Sequence, residues 1–189
     1  SESFIDELAF ETKQDPVAFR LALLKQAPRY AAVLKLAAEK AKWGTALPTG
    51  HAMGVALHES FGSIVAQVAE VSIQDGRPRV HRVVCAIDCG TVINPGTVAQ
   101  QVESSVNFAL SAALFGKIDI QEGVVQQTNF TNYPLVNLAL SPVVETHIVS
   151  STLPPEGVGE PAVPPLAPAV ANAMFALTRQ RVRSLPFTA

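Results

Sequence analysis

The sequence has 189 residues, enough for one domain of ordinary size, and is 48% hydrophobic but only 16% charged, against about 25% charged in a typical soluble domain. A net charge of −2 gives no basic footprint for nucleic acid. The longest apolar runs, such as Val106–Phe115, are interrupted by Asn and Ser and fall short of the ~20 residues of a membrane span. Thirteen of the thirty charged residues lie within residues 1–45. The thinly charged remainder is therefore expected to be covered by another domain, another subunit or further chain. Ser1 opens directly into amphipathic sequence, with neither an initiator Met nor a signal peptide, so the chain is expected to be a fragment or a processed product.

Residues 1–44 read as a helical segment. Ser3 followed by Asp6 resembles a capping box, with Phe4, Ile5 and Leu8 as its apolar face. Asp15-Pro16 predicts an N-cap and a first helical residue, followed by Val17, Leu21 and Leu24 on one face. Tyr30, Val33, Leu34, Ala37, Ala38 and Ala41 give a third helical stripe, with Gly44 as its stop. After a linker at 44–51 the period changes. Residues 53–60, 63–74 and 79–88 read as a β-meander turning near Gly62 and at Asp75–Pro78, and the third strand is apolar enough to be covered on both faces. Residues 97–115 read as a helix capped by Thr97, with Val102, Val106, Leu110 and Leu114 on one face. A short hairpin around Glu122-Gly123, an irregular stretch and a strand at 143–149 follow. Residues 150–168 form a Pro/Gly-rich loop, 169–178 a last helix and 181–185 a short strand. The order predicts an α+β fold: N-terminal helices, an antiparallel β-meander, and two further helices on a mixed or antiparallel sheet. The domain division is 1–44 and 45–189.

The segment richest in chemistry is Gly157-Val158-Gly159-Glu160-Pro161. Its glycines permit close backbone approach to a ligand, and Glu160, if buried, could act as a base. The same pattern also describes a surface turn, the more common use of Gly-rich sequence. Gln100-Gln101-Val102-Glu103 could hydrogen-bond a heterocycle or phosphate, or could be an ordinary polar helix face. Cys85 and Cys89 sit in an apolar run and read as small core residues. His51, His58, His81 and His147 lack metal-ligand spacing, so no metal ligated by side chains is expected; His81 and His147 are expected to point outward from strands.

Taken together and in order, these segments resemble the molybdenum-binding subunits of the xanthine dehydrogenase/aldehyde oxidase family. The resemblance rests on Ser3–Ala9 and Asp15–Arg20, on Asp88-Cys89-Gly90 with Asn94-Pro95, on Gln101-Val102-Glu103, and on Gly157–Pro161. It implies the family's molybdopterin-binding domain, near the C-terminus of a large subunit. It further implies a hydroxylase that oxidises an N-heteroaromatic or aldehyde substrate with water as oxygen source. Glu160 then matches the base, while Gln101, Gly157 and Gly159 match cofactor-contacting positions. The implied cofactor is molybdopterin cytosine dinucleotide carrying molybdenum. The implied partners are the remainder of the large subunit and a small [2Fe–2S] subunit. Ser104 and Ser105 depart from the pattern, standing where family members often carry glycine. Two expectations follow: catalysis as part of a larger enzyme, or a structural and assembly role without independent activity. If the thinly charged surface is the cut face of a larger enzyme, the isolated piece is expected to self-associate through it.

Overall fold

The computed structural model describes residues 1–187. Three helices open the chain: α1 (Glu2–Glu11), α2 (Pro16–Leu23) and α3 (Pro28–Ala41). Asp15 caps α2 as expected, its Oδ1 accepting from the amides of Val17 at 3.0 Å and Ala18 at 2.8 Å. The capping box at Ser3 does not form, because α1 already begins at Glu2. Asp6 is instead buried and paired with Arg181 at 2.7 Å and Arg20 at 3.9 Å. These pairs set the buried face of α1, which holds Asp6 and Ala9 and leaves Phe4 and Leu8 exposed. A left-handed Lys42, two residues before Gly44, ends α3.

The meander is formed by β1 (His51–Ser60), β2 (Ser63–Gln74) and β3 (Arg77–Asp88). Phe61-Gly62 and Asp75-Gly76 make the turns, with positive φ at both residues of each, the geometry that suits the twist of paired strands. β6 (Val143–Ile148) then joins β3 in parallel, giving a mixed sheet of order β1–β2–β3–β6. A parallel neighbour needs a long crossover. Here it comprises α4 (Pro95–Phe115) and a small hairpin of β4 (Ile120–Gln121) and β5 (Val124–Val125). α5 (Leu166–Thr178) follows.

The two-residue period of β2 divides the core. Ile64, Ala66 and Val68 join Val33, Leu34 and Ala37 of α3 on one face. Val65, Ala69 and Val71 point the other way, toward α4 and α5. Burial from both sides explains why residues 83–90 are all buried. Asn172 fixes α5 to the sheet by donating from Nδ2 to the Val55 carbonyl at 3.0 Å. Gly54 permits this closeness, since a Cβ there would lie 2.1 Å from the Ala169 carbonyl oxygen.

Several expectations need correction. Asn94, not Thr97, caps α4: its Oδ1 accepts from the Thr97 amide at 3.2 Å, and Pro95 opens the helix where a missing N–H costs nothing. α5 begins at Leu166 rather than at residue 169. Residues 181–185 form no strand; Arg181 and Arg183 instead pair with Asp6 and Glu7 of α1. His81 does not alternate outward. The register steps from Glu70↔Arg82 to Val71↔Val80, so His81 is the extra residue of a bulge. Its ring stacks on His51 at 4.4 Å, and its Nε2 meets Ser72 Oγ at 2.8 Å. His147 is likewise half-buried.

Candidate cofactor-facing loop

Residues 149–165 carry no regular secondary structure. Their prolines remove backbone donors, so side chains and strand ends must hold the segment. The Asp88-Cys89-Gly90 turn supplies the first anchors. The Cys89 carbonyl accepts the Glu156 amide at 2.9 Å, and Thr91 donates its amide and its hydroxyl to the Leu153 carbonyl at 2.9 and 2.8 Å. Gly90 sits at φ +73, and an added Cβ would lie 1.9 Å from the Pro154 carbonyl oxygen. Only glycine satisfies both conditions. Asp88 steadies the turn by accepting from the Gly90 amide at 3.1 Å and from Arg29 Nε of α3 at 2.8 Å. The Arg29 guanidinium, helped by the Gly90 amide, holds the Asp88 carboxyl below the usual carboxylate range despite its burial.

The Gly157–Ala162 stretch is then held from below by side-chain donors. Ser63 Oγ, at the start of β2, donates to the Gly157 carbonyl at 2.6 Å, while the Gly157 amide donates to the Phe61 carbonyl at 3.1 Å. Ser105 Oγ of α4 donates to the Gly159 carbonyl at 3.2 Å. Gln67 Nε2 of β2 donates to the Ala162 carbonyl at 2.7 Å. Gln67 is fully buried, and its Oε1 has no hydrogen-bond partner among the described residues. Leaving a buried acceptor unmet costs about 1–3 kcal/mol.

The sequence-predicted residues meet here in part. Gln101 lies one helical turn before Ser105, on the stretch of α4 whose Val98 and Val102 pack with Ala162. The motifs containing Asp88, Gln101 and Glu160 thus converge on one end of the sheet. Glu160 itself is exposed, so the burial required of a base is not supplied by this chain. The two glycines differ. A Cβ on Gly157 would lie 2.7 Å from Phe61 Cβ, so internal packing already accounts for that glycine. A Cβ on Gly159 would meet nothing within 4 Å, and its φ is not positive. Among the described residues the amides of Val158, Gly159 and Glu160 donate to no other group of the chain. An open glycine beside free donors suits a large oxygen-rich ligand approaching the backbone.

One cleft lies apart. A cleft of about 510 Å³ is lined by Ser1–Phe4, His58 and Ser184 among others, and does not include Glu160. Cys85 and Cys89 are buried free thiols, and burial pushes the Cys85 thiol up to about 12. Ser63 and Gln67 escaped the reading of the sequence, and Ser105 stood out only as a departure from glycine. The one further signal was Gln67 itself, a polar residue among Val65, Ala66, Val68 and Ala69.

A family model described as a molybdopterin cofactor-binding domain matches residues 12–142. The chain belongs to this family. It is 35% identical over 190 residues to the isoquinoline 1-oxidoreductase subunit beta of Brevundimonas diminuta, covering 98% of this chain and 24% of that one. It is 33% identical to a membrane-bound aldehyde dehydrogenase of Gluconacetobacter polyoxogenes, whose name specifies pyrroloquinoline quinone, across 98% of this chain and 27% of that one. The chain thus spans about a quarter of the length of these relatives. Among solved structures, quinoline 2-oxidoreductase from Pseudomonas putida 86 superposes with a TM-score of 0.59 at 24% identity, over 66% of this chain and 17% of that one; it shares the fold.

Proposed function

We propose that this chain forms part of the cofactor-facing wall of a molybdenum hydroxylase that oxidises an N-heteroaromatic or aldehyde substrate, with water as oxygen source and Glu160 as the base. The observation that carries the reading is the loop at Gly157–Glu160, fixed from below and presenting free amides, an open glycine and a carboxylate on its outer side. Gly159 and its neighbouring amides would approach the cofactor through the backbone, and the Gln101 amide would hydrogen-bond it from α4. Gly157 shapes the approach. When bound, molybdopterin cytosine dinucleotide would supply the two-electron redox chemistry that no side chain here can provide. Glu160 would hold the proton that the water-derived oxygen gives up as it attacks the electron-poor carbon. A carboxylate does this well near neutral pH only when desolvated. That desolvation would come from the cofactor, the substrate and the remainder of the large subunit. Electrons would leave through a small [2Fe–2S] subunit.

The test is Glu160→Gln in the whole protein, with metal content measured alongside turnover. Removing a general base costs about 10²–10⁴-fold. The variant should load molybdenum normally and lose turnover on that scale; a loaded variant with undiminished turnover refutes the assignment. Stoichiometric pyrroloquinoline quinone in place of molybdenum would refute the cofactor reading.

A second reading is favoured by one observation: Glu160 is exposed in this chain. On that reading the 189 residues alone are a structural element that retains no cofactor. Metal analysis of the purified chain separates the two, since stoichiometric molybdenum in it would exclude the structural role.

A further inference from the structure

The loop around Glu160 is held by a specific alternation of peptide orientations. The carbonyls of Gly157 and Gly159 both turn into the body of the protein, toward Ser63 Oγ and Ser105 Oγ. In a trans peptide the following N–H points opposite to the carbonyl. The amides of Val158 and Glu160 are thereby aimed outward on one side of the loop. Further along, the Ala162 carbonyl is tied to Gln67 in the sheet, and the Val163 amide closes a turn onto the Glu160 carbonyl at 3.0 Å. The backbone on either side of Glu160 is therefore held by side chains of the body of the protein, Ser105 before it and Gln67 after it.

Gln67 is costly for its position. It pairs in register with Cys85, between Val65 and Ala69 on the same face of β2, within an apolar cluster. Its Oε1 is buried and unpartnered, so an apolar side chain of similar volume would relieve the core of an unmet acceptor. What such a side chain could not do is hold the Ala162 carbonyl.

We infer that Gln67 and Ser105, assisted by Ser63, are positioning residues that orient the Val158 and Glu160 amides, and place the backbone that carries the Glu160 side chain, toward the group bound on the loop's outer face. This rests on the reading of Glu160 as a base and deepens it. The outward amides form a pair of donors suited to an anionic or oxygen-rich ligand. Neither Gln67 nor Ser105 touches that ligand.

The experiment uses the whole protein with cofactor loaded. Gln67→Met keeps the volume and removes the donor; Ser105→Ala removes the hydroxyl, and Ser105→Thr restores it. Each variant is measured for molybdenum content, thermal midpoint, kcat and KM, and for hydrogen exchange of the peptide spanning residues 154–163. Misplacement of a reacting group by about 1 Å costs about 10²-fold. Gln67→Met should keep its metal, lose about 10–100-fold in kcat with KM little changed, and exchange faster only at 154–163. Ser105→Ala should follow the same pattern more weakly, with Ser105→Thr recovering it. Loaded, folded variants with unaltered kcat and exchange overturn the inference. If Gln67→Met does not fold, the Ser105 pair decides by the same criteria. Glu160→Gln separates the two readings: if it retains turnover, the base assignment falls. If it abolishes turnover while Gln67→Met and Ser105→Ala are neutral, only the positioning role falls.

Discussion

Alanine at Gly157 and at Gly159 should act in opposite ways, although the residues are two apart. At Gly157 the new methyl would lie 2.7 Å from Phe61 Cβ, well inside contact distance. The backbone cannot slide aside cheaply, because the Gly157 amide and carbonyl are both bonded, to Phe61 and to Ser63. Overpacking of this kind costs about 1–3 kcal/mol, and each kcal/mol lowers the melting temperature of a domain of this size by about 2–4 °C. Gly157→Ala should therefore melt about 2–12 °C below the parent protein. At Gly159 the methyl meets nothing within 4 Å and φ is already suited to alanine. Reduced freedom of the unfolded chain then favours the substitution by about 0.4–1 kcal/mol. If the cofactor comes against this backbone, the same methyl should expel it. The assay is thermal denaturation of the apo protein together with molybdenum content after loading. Gly159→Ala should be as stable as the parent and poor in metal. Equal destabilisation by the two substitutions would refute the steric argument. A stable, fully loaded and active Gly159→Ala protein would refute the approach of the cofactor at this position.

Asp88→Asn should destabilise by about 1–3 kcal/mol, discounted from the full cost of a buried pair because Arg29 is 35% exposed. The Asp88 carboxyl is held below its ordinary value near 3.8, so its contribution is complete above that pH and is lost as pH falls through the lower folded-state value. Denaturant titrations should show the parent and variant converging only below about pH 4; a gap that persists there would exclude the ion pair as its cause. Cys85, with its thiol pushed up to about 12, should resist iodoacetamide at pH 8, where only about one thiol in ten thousand is ionised. Rapid alkylation of Cys85 under native conditions would show that the apolar cluster opens.

Much of the exposed apolar surface of the thinly charged body lies in one segment. Of the large hydrophobic residues that are exposed, Ile118, Ile120, Val124, Val125, Phe130, Leu135 and Leu138 fall in the crossover between α4 and β6. The β4–β5 hairpin there has only two residues in each strand, too few to be stable without support. Glu160 and Gly159 are likewise exposed, and a Cβ on Gly159 would meet nothing within 4 Å. Both features agree with a chain that spans about a quarter of its relatives.

Local signals and long-range partners were not equally legible in the sequence. The Asp15 cap, the meander and the buried third strand could be read because each depends on neighbours within a few residues or on a simple period. Boundaries failed where two local devices compete. Asn94-Pro95 outbids Thr97 as a helix start because Asn caps and proline follows without losing a bond. The face of α1 failed for a different reason: its partner, Arg181, lies 175 residues away. The candidate site shows the same division. Glu160 and Gly159 stand out as a short motif, but Gln67 and Ser63 reach that motif across 95 and 94 residues. Ser105 reaches it across 54 residues, and at the sequence level it stood out only as a departure from glycine. In the folded chain the Ser105 hydroxyl holds the Gly159 carbonyl inward. Ser105 is itself buried, so no reading of residues near it in the chain could have shown which carbonyl it meets.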